Sequence, residues 1–451
     1  MFNGFRSNTQ NVFMKNDLET PDNIDREAVC IGLTLDVVNK MENLQLDLLD
    51  DLINKLLQQF KYVSDIHKII DTQIIEKTFN LLSNVENLQL KILCLELITD
   101  LTTISNDASL IYIDINPIPQ LVQLLSLNIL DIDVAIYKNV TILMKYSDSR
   151  AYLYSSNIIS YIISRVQTKV LKTFDVSYED LFLALNFIAK YIKFDSEGET
   201  KDKEENFINL VIELQNSDNF YRISKYFFQI VYELYKKLSV NFLISIGFFD
   251  RVMEYLYDSN LQSSLQKITQ IISDVAFSNE DFLKDFSLNL DLERMQNIMC
   301  IYRDKEAYIV PIIIMLSNLS FIPEFSNRLL ETHFCDYLLD IYDSSFMKIK
   351  IETINLLWVL ISKGSVDLVS EFLTTKCLII LLDIFKLDSP EFVNFAKETV
   401  LPMLSSLSNQ GLISDEHKCE ARDLLEEVIL DYANDELLDI ANTLMNTVFA
   451  E

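Results

Sequence analysis

Residues 88–125 read LQLKILCLELITDLTTISNDASLIYIDINPIPQLVQLL. The stretch joins a long helical pattern containing LITDLTT (97–103) to a short one, IPQLVQLL (118–125). The short pattern has the form apolar-x-x-apolar-apolar-x-apolar-apolar, the spacing of one buried helix face. It returns as IISYIISRV (158–166), FINLVIEL (207–214), FFDRVMEYL (248–256), LERMQNIM (292–299), FCDYLLDIY (334–342) and CLIILLDIF (377–385). With Leu121, Tyr161, Leu210, Val252, Met295, Tyr337 and Ile380 as one column, the steps are 40, 49, 42, 43, 42 and 43 residues.

The long pattern supplies a second column. LITDLTT, ILMKYSD, FIAKYIK, IISDVAF, MLSNLSF, VLISKGS and MLSSLSN align on Asp100, Lys145, Lys190, Asp274, Asn318, Ser362 and Ser406. The steps are 45, 45, 84, 44, 44 and 44, and the 84 holds one more copy, ELYKKLS, with Lys236 or Lys237 in place. Two columns in one register mark a repeat array with a period of about 43 residues. The single step of 49 spans DSEGETKDKEEN (195–206), which reads as a hydrophilic loop insertion.

Composition agrees with packed helices. Six glycines and seven prolines in 451 residues leave little material for hairpins or Gly-rich loops, while 49% of the chain is apolar. The formal net charge of −29 disfavours nucleic acid and anionic membrane as direct ligands and favours partners that are basic in part. The apolar runs, of which Val310 to Met315 is among the longest, fall short of a membrane span. MFNGFRSNTQNVFMKN at the start has no apolar core for a signal peptide. The six cysteines form no C-x-x-C pair and read as reduced core thiols, which suits the cytoplasm or nucleus.

The two segments 88–125 and 351–385 (IETINLLWVLISKGSVDLVSEFLTTKCLIILLDIF) resemble the armadillo repeat family, and the resemblance covers residues 65 to 410. It implies an all-α, right-handed α-solenoid of armadillo-like three-helix repeats whose third helices line a groove. The family often places Gly before the short helix; Gly247 stands there once, and Asn116 and Thr375–Lys376 stand there elsewhere. A positive φ at such a turn suits Gly, then Asn. End repeats must be atypical, because an array needs polar caps. Residues 1–23 read as a disordered segment, 24–64 as an N-terminal cap, and 411–451 as a C-terminal cap beginning at Ser414.

No catalytic, cofactor or metal site is expected. His67, His333 and His417 fall in different repeats or caps, and neither H-E-x-x-H nor a phosphate-binding Gly motif is present. The candidate site is the third-helix groove, docking a protein or an extended peptide. Its residues are Glu96, Asp100, Thr141, Lys145, Asn186, Lys190, Lys236, Gln270, Asp274, Asn318, Trp358 and Ser362. Charge runs acid, base, acid along them. In importin-alpha-like members Trp and Asn recur on these helices; here Asn318 and Trp358 alone match, so the resemblance argues against transport. A structural or regulatory subunit of a larger assembly is a second reading, and a divergent importin-alpha-like nuclear transport adaptor a third. Against the groove stands the plain alternative that amphipathic helices expose a polar stripe and that Trp358 belongs to the core.

Overall fold

The computed structural model describes residues 21–449, apart from 44, 47, 61, 62, 64, 171–177, 197, 279, 333, 344, 345, 374, 383–392, 395 and 432–434. Among these every regular element is helical and no strand occurs. None of the helices is long and apolar enough to cross a membrane. The chain divides between Asn219 and Phe220 into two compact units.

The third helices of unit 1 are α1 (Leu88–Ile104), α2 (Leu130–Leu143) and α3 (Tyr178–Phe194). Those of unit 2 are α4 (Phe220–Leu238), α5 (Leu265–Ser278), α6 (Glu306–Leu319) and α7 (Met347–Lys363). Within unit 1, α2 packs between α1 and α3; within unit 2, α4 to α7 pack in chain order. Sequence sets their ends. Asn87 accepts a hydrogen bond from the Leu90 N–H at 3.2 Å and starts α1; Ser105 accepts from the Ala108 N–H at 3.3 Å and starts the helix that follows.

The first column is core. Leu121, Leu210, Val252, Met295 and Ile380 are all buried. Tyr161, 42% exposed, and Tyr337, half-buried, are the exceptions, and at the first of them Ile162 takes the place inside. The buried face of that helix is turned by one residue from the alignment. Residues of the second column all reach the surface at least in part. The aromatics of α4 pack the interior as their spacing suggests: Phe227 and Phe228 are buried edge to face at 4.9 Å, and Phe228 meets Tyr255 at 5.1 Å.

Burial pushes the thiols of Cys94 and Cys335 up to about 12 and that of Cys30 up to about 11, so these remain protonated. Cys300 and Cys419, however, are exposed and belong to no core.

The turns before the short helices follow the expected chemistry. Asn116 has φ +53° and Gly247 has φ +66°. At the chain ends, helices Pro21–Glu42 and Leu49–Gln59 occupy the N-terminal cap region, so helix begins before residue 24; residues 1–20 lie outside the described residues. At the other end, the Ser414 hydroxyl accepts from the His417 N–H at 3.3 Å and opens the helix Asp415–Asp431.

The reading of 195–206 as a loop is corrected. A helix spans Glu199–Asp202, and another begins at Glu204. Asp195 is buried; one carboxylate oxygen accepts from the N–H groups of Gly198 (3.0 Å) and Glu199 (3.3 Å), the other from that of Thr200 (2.8 Å). One inward-facing acid thus satisfies the free amides of a helix start. Charge density alone gave no sign of it.

Two asparagines tie neighbouring third helices together. Asn139 on α2 donates to the Leu95 carbonyl (3.2 Å) and to the Thr99 hydroxyl (2.8 Å) on α1. Asn318 on α6 donates to the Ser273 hydroxyl (2.6 Å) and carbonyl (3.3 Å) on α5. Asn318→Ala is expected to destabilise the protein by about 1–2 kcal/mol in urea unfolding, because the buried Ser273 groups lose their partner. An unchanged midpoint would show the tie to be idle. At Gly247 a Cβ would meet only an Asp250 oxygen at 3.5 Å. Gly247→Ala should therefore cost only the conformational penalty of about 1–2 kcal/mol. A much larger loss would mean the turn is sterically closed as well.

Candidate functional site

Third helices run side by side, so one polar position per repeat brings side chains from successive helices onto one face. In unit 1 that face starts with Glu96, half-buried, and Asp100, exposed, both on α1. Thr141 on α2 and Asn186 on α3 are half-buried; Lys145 is exposed in the turn that ends α2, and Lys190 is half-buried on α3.

Electrostatics sort these residues. The Asp100 carboxyl is raised above its ordinary range because packing strips it of water, a tendency that nearby Lys138 opposes. Lys138 itself lies 3.9 Å from Glu179. The Lys190 ammonium is lowered, first by loss of water and then by repulsion from Lys145 and Lys193. None of these three lysines pairs with a carboxylate among the described residues. Beside them Arg150 lies 5.2 Å and Lys193 5.7 Å from the centre of the Phe194 ring. Unit 1 thus gathers uncompensated positive charge on one face of a chain whose net charge is −29.

The corresponding face of unit 2 is mixed. Lys236 and Lys267 stand 4.1 Å and 4.3 Å from the centre of the Tyr232 ring, and Lys267 donates to the Gln270 side chain at 2.9 Å. Asp274 is exposed; loss of water raises its carboxyl above the usual range, more than Lys236 and Lys267 pull it down. Tyr232, Gln270, Asp274, Pro311, Ile314 and Lys348 line a hollow of about 280 Å3. A second hollow of about 370 Å3 lies among Trp358, Ser362, Pro402, Met403 and Gln410. Trp358 is 37% exposed, so it is not the enclosed core residue that its apolar neighbours suggest.

Glu96, Asp100, Thr141, Lys145, Asn186 and Lys190 fall in unit 1; in unit 2, Gln270 and Asp274 share one hollow, Trp358 and Ser362 share another, and Lys236 and Asn318 line neither. Asn318 is the one whose assigned role changes. Its amide nitrogen donates to the Ser273 hydroxyl and carbonyl, so that donor is engaged within the fold. Lys193, Lys267 and Tyr232 were missed. Helical spacing could have found the first two, since Lys193 follows Lys190 by three and Lys267 precedes Asp274 by seven.

No protein-family model matches the chain, and no curated protein matches it. Solved structures do. One matching chain comes from a structure described as "A conserved phosphorylation switch controls the interaction between cadherin and beta-catenin in vitro and in vivo". It is 9% identical, with a TM-score of 0.55, and the match covers 96% of this chain and 99% of that one. At that identity the likeness is one of fold, and with the helical architecture above it makes the chain an all-α, armadillo-like solenoid.

Proposed function

We propose that this chain is a non-catalytic scaffold or adaptor that docks a segment of a partner protein on its third helices, acidic residues of the segment meeting the lysines of unit 1. The crowding of Lys145, Lys190 and Lys193 without carboxylate partners carries this reading. Like charges held together cost free energy in the unbound protein, and an arriving carboxylate relieves that cost. In unit 2 the Trp358 hollow suits an apolar side chain. An importin-alpha-like role is less favoured, since the amide of Asn318 is engaged within the fold. Likeness to a solved chain in a cadherin and beta-catenin context is compatible with protein docking and names no partner for this one.

Each exposed ion pair contributes only about 0.2–1 kcal/mol, so several must act together and salt must weaken them. The test uses the full chain and a fluorescein-labelled peptide of alternating glutamate and serine. Changing Lys145, Lys190 and Lys193 to glutamate is expected to weaken binding about ten-fold at low salt. The same charge change at the exposed Lys55, Lys201 and Lys284 should weaken it far less. Equal losses from both sets would reduce the effect to net charge and contradict the reading. Undiminished binding by the first set would move docking off this face and favour a subunit held by its other surfaces.

A further inference from the structure

The helix Val366–Phe372 has two working sides. Val366 and Val369 face the Trp358 hollow, whereas Leu368, Glu371 and Phe372 face a separate cleft of about 410 Å3. The floor of that cleft is apolar and buried: Cys335, Leu339 and Phe372. Its walls are Leu330 and Leu368, both half-exposed, and its rim carries Glu331, Asp336 and Glu371, all exposed. The volume falls within the range of about 300–1,000 Å3 at which clefts hold ligand groups.

The cleft continues a pattern of the helices that directly follow the third helices of unit 2, Val240–Ser245, Glu280–Asn289, Pro323–Glu331 and Val366–Phe372. Ile244 is 56% exposed and Leu288 51% exposed, and with Leu330 and Leu368 they recur at steps of 44, 42 and 38 residues. Arg328 joins two of these places physically, donating to the Leu288 carbonyl at 3.0 Å from the helix that bears Leu330. Ile244 and Leu288, with the half-exposed Leu330 and Leu368, bring apolar side chains to the surface of an otherwise acidic chain. No cation of a described residue pairs with Glu331 or Glu371. Glu331 and Glu371 are therefore open to a positive group.

We propose that this cleft is a second protein-docking site, separate from the third-helix face, and that it takes a lysine- or arginine-flanked apolar side chain of a partner protein. The apolar group fills the space between Leu330 and Leu368 over Leu339 and Phe372. The flanking cations reach Glu331 and Glu371, which remain at the water boundary, where the desolvation cost is small. The two sites select opposite charge: acidic segments on the lysines of unit 1, basic ones here.

The experiment uses the full chain and two labelled amphipathic peptides, one of arginine and leucine, the other of glutamate and leucine, at about 0.15 M salt, near physiological ionic strength. The arginine peptide should bind and the glutamate peptide should not compete for the cleft. Glu331→Lys with Glu371→Lys should weaken the arginine peptide about ten-fold, and Leu368→Asn should weaken it too. Asp304→Lys with Glu420→Lys, the same charge change at exposed positions, should leave it within about two-fold. The lysine-to-glutamate triple variant of unit 1 should bind it at least as well as the parent, which separates this proposal from the groove reading. Circular dichroism melts confirm that each variant is folded. Equal losses in the rim and control pairs, or full binding by Leu368→Asn, would overturn the proposal.

Discussion

Five consecutive residues of α6, Ile309 to Ile313, are buried without a break, and this one fact constrains the rest of the structure. A run of five covers more than a full turn, so no single face can hide it. The helix must be covered from several sides, and within unit 2 the neighbours α5 and α7 do so. The same demand applies in unit 1 to α2, whose Ile132, Ile136, Tyr137, Val140 and Leu143 are buried between α1 and α3. A repeat of this kind is not stable by itself; its apolar area becomes useful only when a neighbour arrives. Asn139 and Asn318 then fix which residues face which, at the cost of two polar groups kept inside the stack.

Once the third helices are covered on both flanks, one polar stripe is left to each, and its chemistry is free to vary. Unit 1 has filled its stripe with lysines that repel one another, and unit 2 has set lysines around Tyr232 and placed an acid next to them. The helices that follow the third helices contribute another surface of different composition, apolar with an acidic rim. A chain with no convergent catalytic constellation in its sequence can still discriminate among partners, because separate faces present opposite charge.

Period and polarity were legible because both follow from repetition. The buried column, the surface column and the left-handed turns at Asn116 and Gly247 all follow from spacing and residue type. What escaped is what depends on a single side chain in three dimensions. Asp195 turns inward and caps a helix, although it opens one of the most charged stretches of the chain. Tyr161 yields its buried place to Ile162, which a one-residue rotation decides. Asn318 sits in the polar column yet spends its amide on Ser273, and Trp358 stands among apolar residues yet reaches solvent. Division into two units at Asn219 leaves no mark on the column spacing, since the register runs on through Lys236.

On the proposed function, the lysines of unit 1 are crowded and uncompensated until an acidic partner arrives. Charged Lys190 then costs the folded state stability at every pH below its folded pKa, and that cost fades as the pH rises toward the value of an unfolded lysine. The direct measurement is a nuclear magnetic resonance titration of the lysine side chains in the full chain. Lys190 should titrate below the ordinary lysine range, should move up when Lys145 and Lys193 are changed to methionine, and should move up again when a glutamate peptide is bound. A Lys190 that titrates in the ordinary range and ignores both changes would contradict the claim.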